Sequence, residues 1–228
     1  AISLNSPSNP VGWTATRDEL IAVRDECRKR GIWILGDEVY SRFFYGERGE
    51  TRAPSFLDIC DDEEQLLLAN TFSKTRAMSG WRVGGLPAPR ALGPAIERII
   101  QVNSSGTPAF LQKGCVAALD HGDEFLAQQV AKARSNRDLV VAKLREMPGI
   151  RFEVPQGAFY LFFAIDGMKD SAATTMRIID EAKVGFAPGS TFGPGGEGHL
   201  RMCCLRDPAK LTEALDRFGN WMKIQRPS

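Results

Sequence analysis

Two short runs without a polar side chain, Ile32–Leu35 and Leu66–Ala69, constrain this chain most. Each is too short for an ordinary helix and apolar at every position, so each reads as a strand buried on both faces. Ile2–Leu4 reads as a strand ahead of them, and Arg82–Leu86 as one behind. Between the first strands, Thr16 is placed to cap a helix over 17–30, with Glu19 three residues on as the capping-box carboxylate. Leu20, Val23 and Cys27 form its apolar stripe, and Gly31 ends it. Apolar strands alternating with helices predict an α/β fold, a mainly parallel sheet with helices covering both faces.

Residues 91–147 carry no convincing strand. Pro94, the loop Ser104–Pro108 and Gly122 punctuate a succession of helices, the last a long polar one over about 123–147. After Pro148-Gly149 the texture changes. Strands at about 151–154, 158–164, 184–187 and 198–205 surround a helix at about 171–182, and a helix over about 208–222 follows. That is an α+β unit with enough residues for its own core. The expected division is a larger domain over 1–122 and a smaller one over 123–228 that includes the long helix.

Composition removes several classes of function. With 29 basic and 28 acidic side chains in 228 residues, the formal charge is +1, which offers no electrostatic reason for nucleic acid or an anionic membrane as partner. No apolar run approaches the roughly 20 residues that span a bilayer, and the opening Ala1-Ile2-Ser3-Leu4-Asn5 does not read as a signal peptide. Five cysteines (27, 60, 115, 203 and 204) without C-x-x-C spacing argue against a disulfide framework or zinc, and predict reduced thiols in a cytoplasmic protein. His121 and His199 are the only histidines, so no metal site is expected. His121, beside Gly122, reads as a helix-end residue.

The residues with chemical potential cluster around the strand ends. Lys74, in Thr71-Phe72-Ser73-Lys74, follows an apolar strand and a short polar turn. An amine held there in a desolvated pocket would lose its charge readily and act as a nucleophile toward a carbonyl. Asp37 follows the strand Ile32–Leu35 at a carboxyl end, where open α/β sheets place their ligands, and Tyr40 is three residues on. Asp37 could equally serve as a helix cap or loop ion pair, and Asn9-Pro10 as a simple turn. Arg82, with the hydroxyls of Thr71 and Ser73, suits an anion, since a guanidinium forks onto phosphate oxygens. Arg201 stands among Leu200, Met202 and Cys203, where a charge is costly unless paired or turned outward. The run Gly193–Gly198 precedes a strand and lacks a P-loop lysine, so it reads as a flexible turn. Phe159, Tyr160, Phe162 and Phe163 read as core strand residues, Trp81 as packing, and Arg76 has no assigned role.

Six stretches, SNPVG (8–12), GDEVYSRFFY (36–45), NTFSKTRAMSGWRVGG (70–85), PQGAFYLF (155–162), APGSTFG (187–193) and GHLRMCC (198–204), together resemble the fold-type I, class I/II aminotransferases of the aspartate aminotransferase superfamily. They stand in that family's order almost from end to end of the chain. The resemblance implies the C-terminal part of the large domain plus a smaller α+β domain, with a front half not represented here. It also implies pyridoxal 5′-phosphate (PLP) as cofactor, joined to Lys74 as a Schiff base. Asp37 would then hold the proton on the pyridine nitrogen, Tyr40 and Asn9 would hydrogen-bond the phenolic oxygen, and Thr71, Ser73 and Arg82 would hold the phosphate. The family normally has serine where this chain has Thr71. Arg201, with Asn9, would grip the substrate's α-carboxylate. The implied reaction moves an amino group between an α-amino acid and a 2-oxo acid, in a cytoplasmic homodimer. The same residues serve PLP-dependent lyases and synthases on this fold, and PLP-binding effector domains of transcriptional regulators. No arginine in the loop around Asn103–Pro108 speaks for a distal carboxylate, so the substrate side chain is open. Alone, the chain is expected to be a poor, self-associating enzyme with uncovered apolar surface.

Overall fold

The structure, a computed structural model, describes residues 1–46, 49–61 and 65–225. The chain divides into two compact units. The first comprises Ala1–Ser8 and Trp13–Val130; the second comprises Asn9–Gly12 and the chain from Ala131 onward.

In the first unit, β1 (Ile2–Asn5), β2 (Ile34–Asp37) and β3 (Leu66–Thr71) run parallel in that order, and β4 (Gly84–Gly85) pairs antiparallel with β3. The register sets Asn5 opposite Asp37 and Asp37 opposite Ala69. Helix α1 (Arg17–Arg30) starts with the reciprocal cap read from the sequence: the Thr16 hydroxyl accepts from Glu19 N (3.2 Å) while the Glu19 carboxylate accepts from Thr16 N (2.7 Å). It ends at Gly31 with φ 62°, a conformation glycine adopts without steric cost. Ile32 N donates to Cys27 O, closing the helix, so β2 begins later than the apolar run does and Asp37 becomes its last residue.

Leu20 and Cys27 of α1 pack with Ile34, Phe56, Leu66 and Leu68 beneath the sheet. Gly36 lets that layer close, since a Cβ there would stand 3.2 Å from the Phe56 ring. The opposite face departs from the expected two-sided cover. Leu35, in the middle of the parallel strands, is 38 % exposed, and Leu67 and Ala69 are half-buried. An apolar run reports the character of a strand but not how many layers cover it.

Three helices follow the short α2 (Phe72–Thr75): α3 (Gly93–Asn103), α4 (Ala109–His121) and α5 (Asp123–Arg145). Helix α3 buries no side chain; Val102 is 88 % exposed, and Phe110 at the start of α4 is 72 % exposed. His121 is the last residue of α4, as its place beside Gly122 predicts. The division between units falls within α5, later than the sequence reading placed it. The Asp123 carboxylate pairs with Arg76 of the first unit, whereas Val140, Val141 and Leu144 belong to the second unit's core.

The second unit is an antiparallel sheet ordered β5-β6-β8-β7, made of β5 (Ile150–Phe152), β6 (Tyr160–Ile165), β7 (Ala187–Pro188) and β8 (His199–Cys203). Strict alternation separates its faces. Leu161, Phe163, Leu200 and Met202 enter a core with Leu144 of α5, Ile178 of α6 (Ser171–Ala182), and Leu215 and Phe218 of α7 (Pro208–Gln225). The buried Asn136 amide donates to Cys204 O and Arg206 O (2.8 and 2.9 Å), tying α5 to the chain leaving β8. Burial pushes the Cys204 thiol up to about 12, so it stays an inert thiol, and all five cysteines are unbridged.

Candidate functional site

The sequence-predicted residues fall into two groups, one in each unit. Asp37, Tyr40, Thr71, Ser73, Lys74 and Arg82 belong to the first; Asn9 and Arg201 belong to the second.

In the first unit, the ends of β2 and β3 set the group. Asp37 O accepts from the Asn5 side-chain amide and from Ser6 N (3.1 Å each), which fixes the backbone beneath the carboxylate. Oδ1 of Asp37 accepts from Val39 N at 3.3 Å, a turn bond of the kind a purely structural aspartate makes. Tyr40 is buried, and Lys74 Nζ lies 5.8 Å from the centroid of its ring, so the structure brings the candidate amine and the candidate phenol together. The Lys74 side chain is half-buried, short of the desolvated pocket that its sequence context suggests.

The hydroxyl of Thr71 caps the Lys74 turn. It accepts from Ser73 N (3.1 Å) and donates to Val83 O (3.2 Å). A hydroxyl has one proton to give, and here Thr71 gives it to the backbone rather than holding it ready for an anion. Arg82 is exposed, in the left-handed region at φ 56°, and its Nη1 donates to Ser79 O (3.0 Å). Ser79 Oγ in turn donates to Ser73 O (3.0 Å), so the arginine loop is tied to the turn that carries Lys74. Gly84 permits this crossing, because a Cβ there would sit 2.6 Å from Asn70 O. Trp81 packs on α4, where the six-membered ring reaches to 2.6 Å of the point a Cβ on Gly114 would occupy.

Two further groups in this unit escaped sequence reasoning. Arg76 places Nη2 2.9 Å from Asp123 Oδ1, with Arg42 Nη2 at 3.6 Å; the bond from Arg76 and the Arg42 charge hold the Asp123 carboxyl below its usual range. Glu38 is buried, and desolvation raises its pKa even though it accepts from Phe56 N (2.9 Å). No periodicity marks either one, since their partners are distant in sequence.

In the second unit, two of the quoted stretches meet. Gln156 N and Gly157 N both donate to Gly12 O (2.9 and 3.0 Å), clamping the segment Asn9–Gly12 onto the approach to β6. Gly12 has φ 73°, and a Cβ on it would come within 2.5 Å of Pro155 Cβ. Asn9 is thereby presented to Arg201, whose Nη1 donates to Asn9 Oδ1 at 2.8 Å. Alternation turns Arg201 away from Leu200 and Met202, which answers the expected cost of a charge among them. Its guanidinium lies 4.4 Å from the Tyr160 ring and 4.7 Å from the Phe192 ring, while Nε is buried without a hydrogen-bond partner among the described residues. Tyr160 and Phe162 therefore do not join the core that Phe163 enters; they share the Arg201 face.

An amine one turn beyond a parallel strand and a carboxylate ending the neighbouring strand give the first unit the form of an α/β sheet with candidate ligand groups at its strand ends. Comparison with known proteins narrows that class. The model for aminotransferase class I and II matches residues 1–218, and this chain belongs to that family. It is 32 % identical over 222 residues to an aspartate aminotransferase of Thermotoga maritima, covering 97 % of this chain and 56 % of that protein. It is 36 % identical to the aromatic-amino-acid aminotransferase 2 of Thermococcus litoralis, covering 99 % and 58 %. The solved structure of an aromatic aminotransferase from Pyrococcus horikoshii superposes with a TM-score of 0.91 at 30 % identity, over 98 % of this chain and 60 % of that one. The chain thus spans little more than half the length of these relatives. No helix among the described residues is long and apolar enough to cross a membrane, and none of their side chains cluster as a metal site.

Proposed function

We propose that the protein transfers an amino group between an α-amino acid and a 2-oxo acid, using pyridoxal 5′-phosphate held on Lys74. The observation that carries this reading is the placement of Lys74 Nζ 5.8 Å from the buried Tyr40 ring, in a motif shared with the family. The donor set of the first unit suits that cofactor chemically: an amine, a phenol, a carboxylate at a strand end, a serine hydroxyl and a guanidinium. When bound, the cofactor supplies an electron sink for the bonds at the substrate's Cα.

The protein's share is to hold, orient and move protons. With the cofactor bound, Asp37 would keep the pyridine nitrogen protonated and Tyr40 would donate to the phenolic oxygen. Ser73 and Arg82 would hold the phosphate, with Thr71 shaping their turn by its bonds to Ser73 N and Val83 O. The Lys74 amine carries a proton to and from the substrate's Cα. Arg201, steadied by Asn9, receives the α-carboxylate on its remaining donors. The relatives named for aspartate and for aromatic amino acids share this α-amino-acid chemistry, so the reading commits to the class and not to one side chain.

The test is borohydride reduction with PLP followed by peptide mapping, which should label Lys74, joined to an assay with an amino acid and a 2-oxo acid. Lys74→Ala should lower the rate by about 10²–10⁴-fold or more. A label on Lys113 instead, or substrate consumption that needs no 2-oxo acid, would sink the proposal.

A further inference from the structure

The geometry points to Phe192 and Tyr160 as positioning residues that set the plane of the Arg201 guanidinium and turn its Nε–Nη2 edge toward an incoming carboxylate. This rests on the carboxylate-binding reading of Arg201 given above. Arginine offers its donors in a rigid planar fork, so the orientation of the plane decides whether two parallel bonds form or one. Nη1 is already committed to Asn9 Oδ1 at 2.8 Å. Nε is buried and has no partner, which leaves the side-on edge as the unmet one. A single bond to Asn9 would still allow the plane to swing about it. The two rings remove that freedom, at 4.4 Å from Tyr160 and 4.7 Å from Phe192. Contact with a ring face favours the cation electrostatically and does not consume a donor.

The loop that delivers Phe192 is built to hold it still. After β7 the backbone turns through Gly189–Phe192 and comes back against itself at Gly196. A Cβ on Gly189 would stand 2.0 Å from Gly196 O, and one on Gly196 2.1 Å from Gly189 O, so the two strands of the loop touch where only glycine fits. Ser171, the first residue of α6, anchors the loop: its hydroxyl accepts from Ser190 N and donates to Ser190 Oγ (3.1 Å each). Its N–H donates to the Glu197 carboxylate at 2.7 Å. Phe162 then meets the Phe192 ring edge-on (6.0 Å, 86°), and His199 stacks on Phe162 (4.8 Å, 5°). The ring over Arg201 is thus backed by two further rings rooted in β6 and β8. The sequence predicts a flexible turn over Gly193–Gly198; in the structure Gly196 of that run closes against Gly189, which lies outside it.

The experiment follows the Arg201 Nε–H resonance of the arginine-labelled chain during titration with sodium acetate, a carboxylate with no amine. The native chain should show a saturable shift at that resonance. Phe192→Leu should keep the fold, monitored by its methyl spectrum, and bind acetate about tenfold more weakly, the scale of a lost ring contact. Phe192→Tyr should restore affinity to within about threefold, and Tyr160→Leu should reproduce the loss. Fluorinating the Phe192 ring, which weakens its face electrostatically at nearly constant shape, should weaken acetate binding in step with the number of fluorines. A native shift that survives unchanged in both leucine variants overturns the positioning role alone. No acetate response at Arg201 in the native chain overturns the carboxylate reading and the positioning role with it.

Discussion

The two units show what a closed core and an open one look like in a single chain. In the second, Leu144, Leu161, Phe163, Ile178, Leu200, Leu215 and Phe218 are all without measurable exposure, and three helices share the work of covering one sheet face. In the first, separate clusters lie under the parallel strands and around Met78, Val83 and Cys115, while among the described residues Tyr40, Phe43, Tyr45 and Ala53 are buried outside both. Ile99, Val102, Phe110, Val116 and Leu119 of α3 and α4 are exposed. The buried polar side chains differ as well. Among the described residues the second unit buries Asn136, Ser171 and Thr175, which are neutral; the first buries the neutral Ser6, Ser8, Thr14, Ser41 and Ser55 together with the carboxyl group of Glu38. Apolar content is therefore a poor guide to which part of a chain is self-sufficient. What separates the units is whether each apolar face meets another.

The most severe way to break this comparison is Phe218→Ala. Phe218 lies against the rings of Phe163, Phe186 and Trp221, at 5.8, 5.0 and 6.1 Å. Emptying that place should cost about 3–5 kcal/mol in urea unfolding, and hydrogen exchange should show lost protection in α7 and β6 while α1 keeps its own. A smaller effect is expected for Gly12→Ala. The positive φ and the 2.5 Å approach to Pro155 predict a loss of about 1–3 kcal/mol. The Arg201 Nε–H signal should move as well, because Asn9 rides on the same segment.

Glu38 sharpens the contrast through pH. Burial raises its folded pKa above the unfolded value, so the folded state binds its proton more tightly. That contribution to stability is whole below the usual carboxyl value and fades as pH rises through the raised one. Glu38→Gln should therefore flatten the decline in stability on the upper side of pH 4.5, measured by urea midpoints, and leave acid pH less affected. Asp58 runs the other way. The Arg52 bond lowers its pKa, so its contribution is present above the normal range and lost as pH falls through the lowered value. The smallest effect belongs to Val102→Ser. A side chain 88 % exposed should change stability by no more than about 0.5 kcal/mol. A loss comparable to that of Phe218→Ala would mean that the face of α3 is covered in solution and that the contrast between the units is wrong.

Much of the secondary structure was legible because its signals are local. Thr16, Glu19 and Gly31 bound α1 through contacts three and four residues apart, and α6 runs from Ser171 to Ala182 as its pattern predicts. The parallel sense of β1, β2 and β3 followed from apolar strands interleaved with helical stretches, while their order in the sheet did not. Strand ends were less legible: β2 starts at Ile34 because Ile32 is spent on capping α1. The candidate residues were found from motifs, but their settings were not. Thr71 turns its proton to Val83 O, and Tyr160, read as core, turns out to lie against Arg201.

The sequence by itself determined the candidate residues of the site, the ends of helices such as α1 and α6, and the family to which the chain belongs. These are properties of residue type and short spacing, and the physics behind them acts over one helical turn or one strand. Only the tertiary structure decided which groups meet. Asn9 reaches Arg201 across 192 positions, and Phe192 arrives over the guanidinium because two glycines let a loop close on itself. Such pairings depend on strand register, loop closure and the face a strand turns inward. A one-residue slip in β8 would send Arg201 into the core and Leu200 out of it.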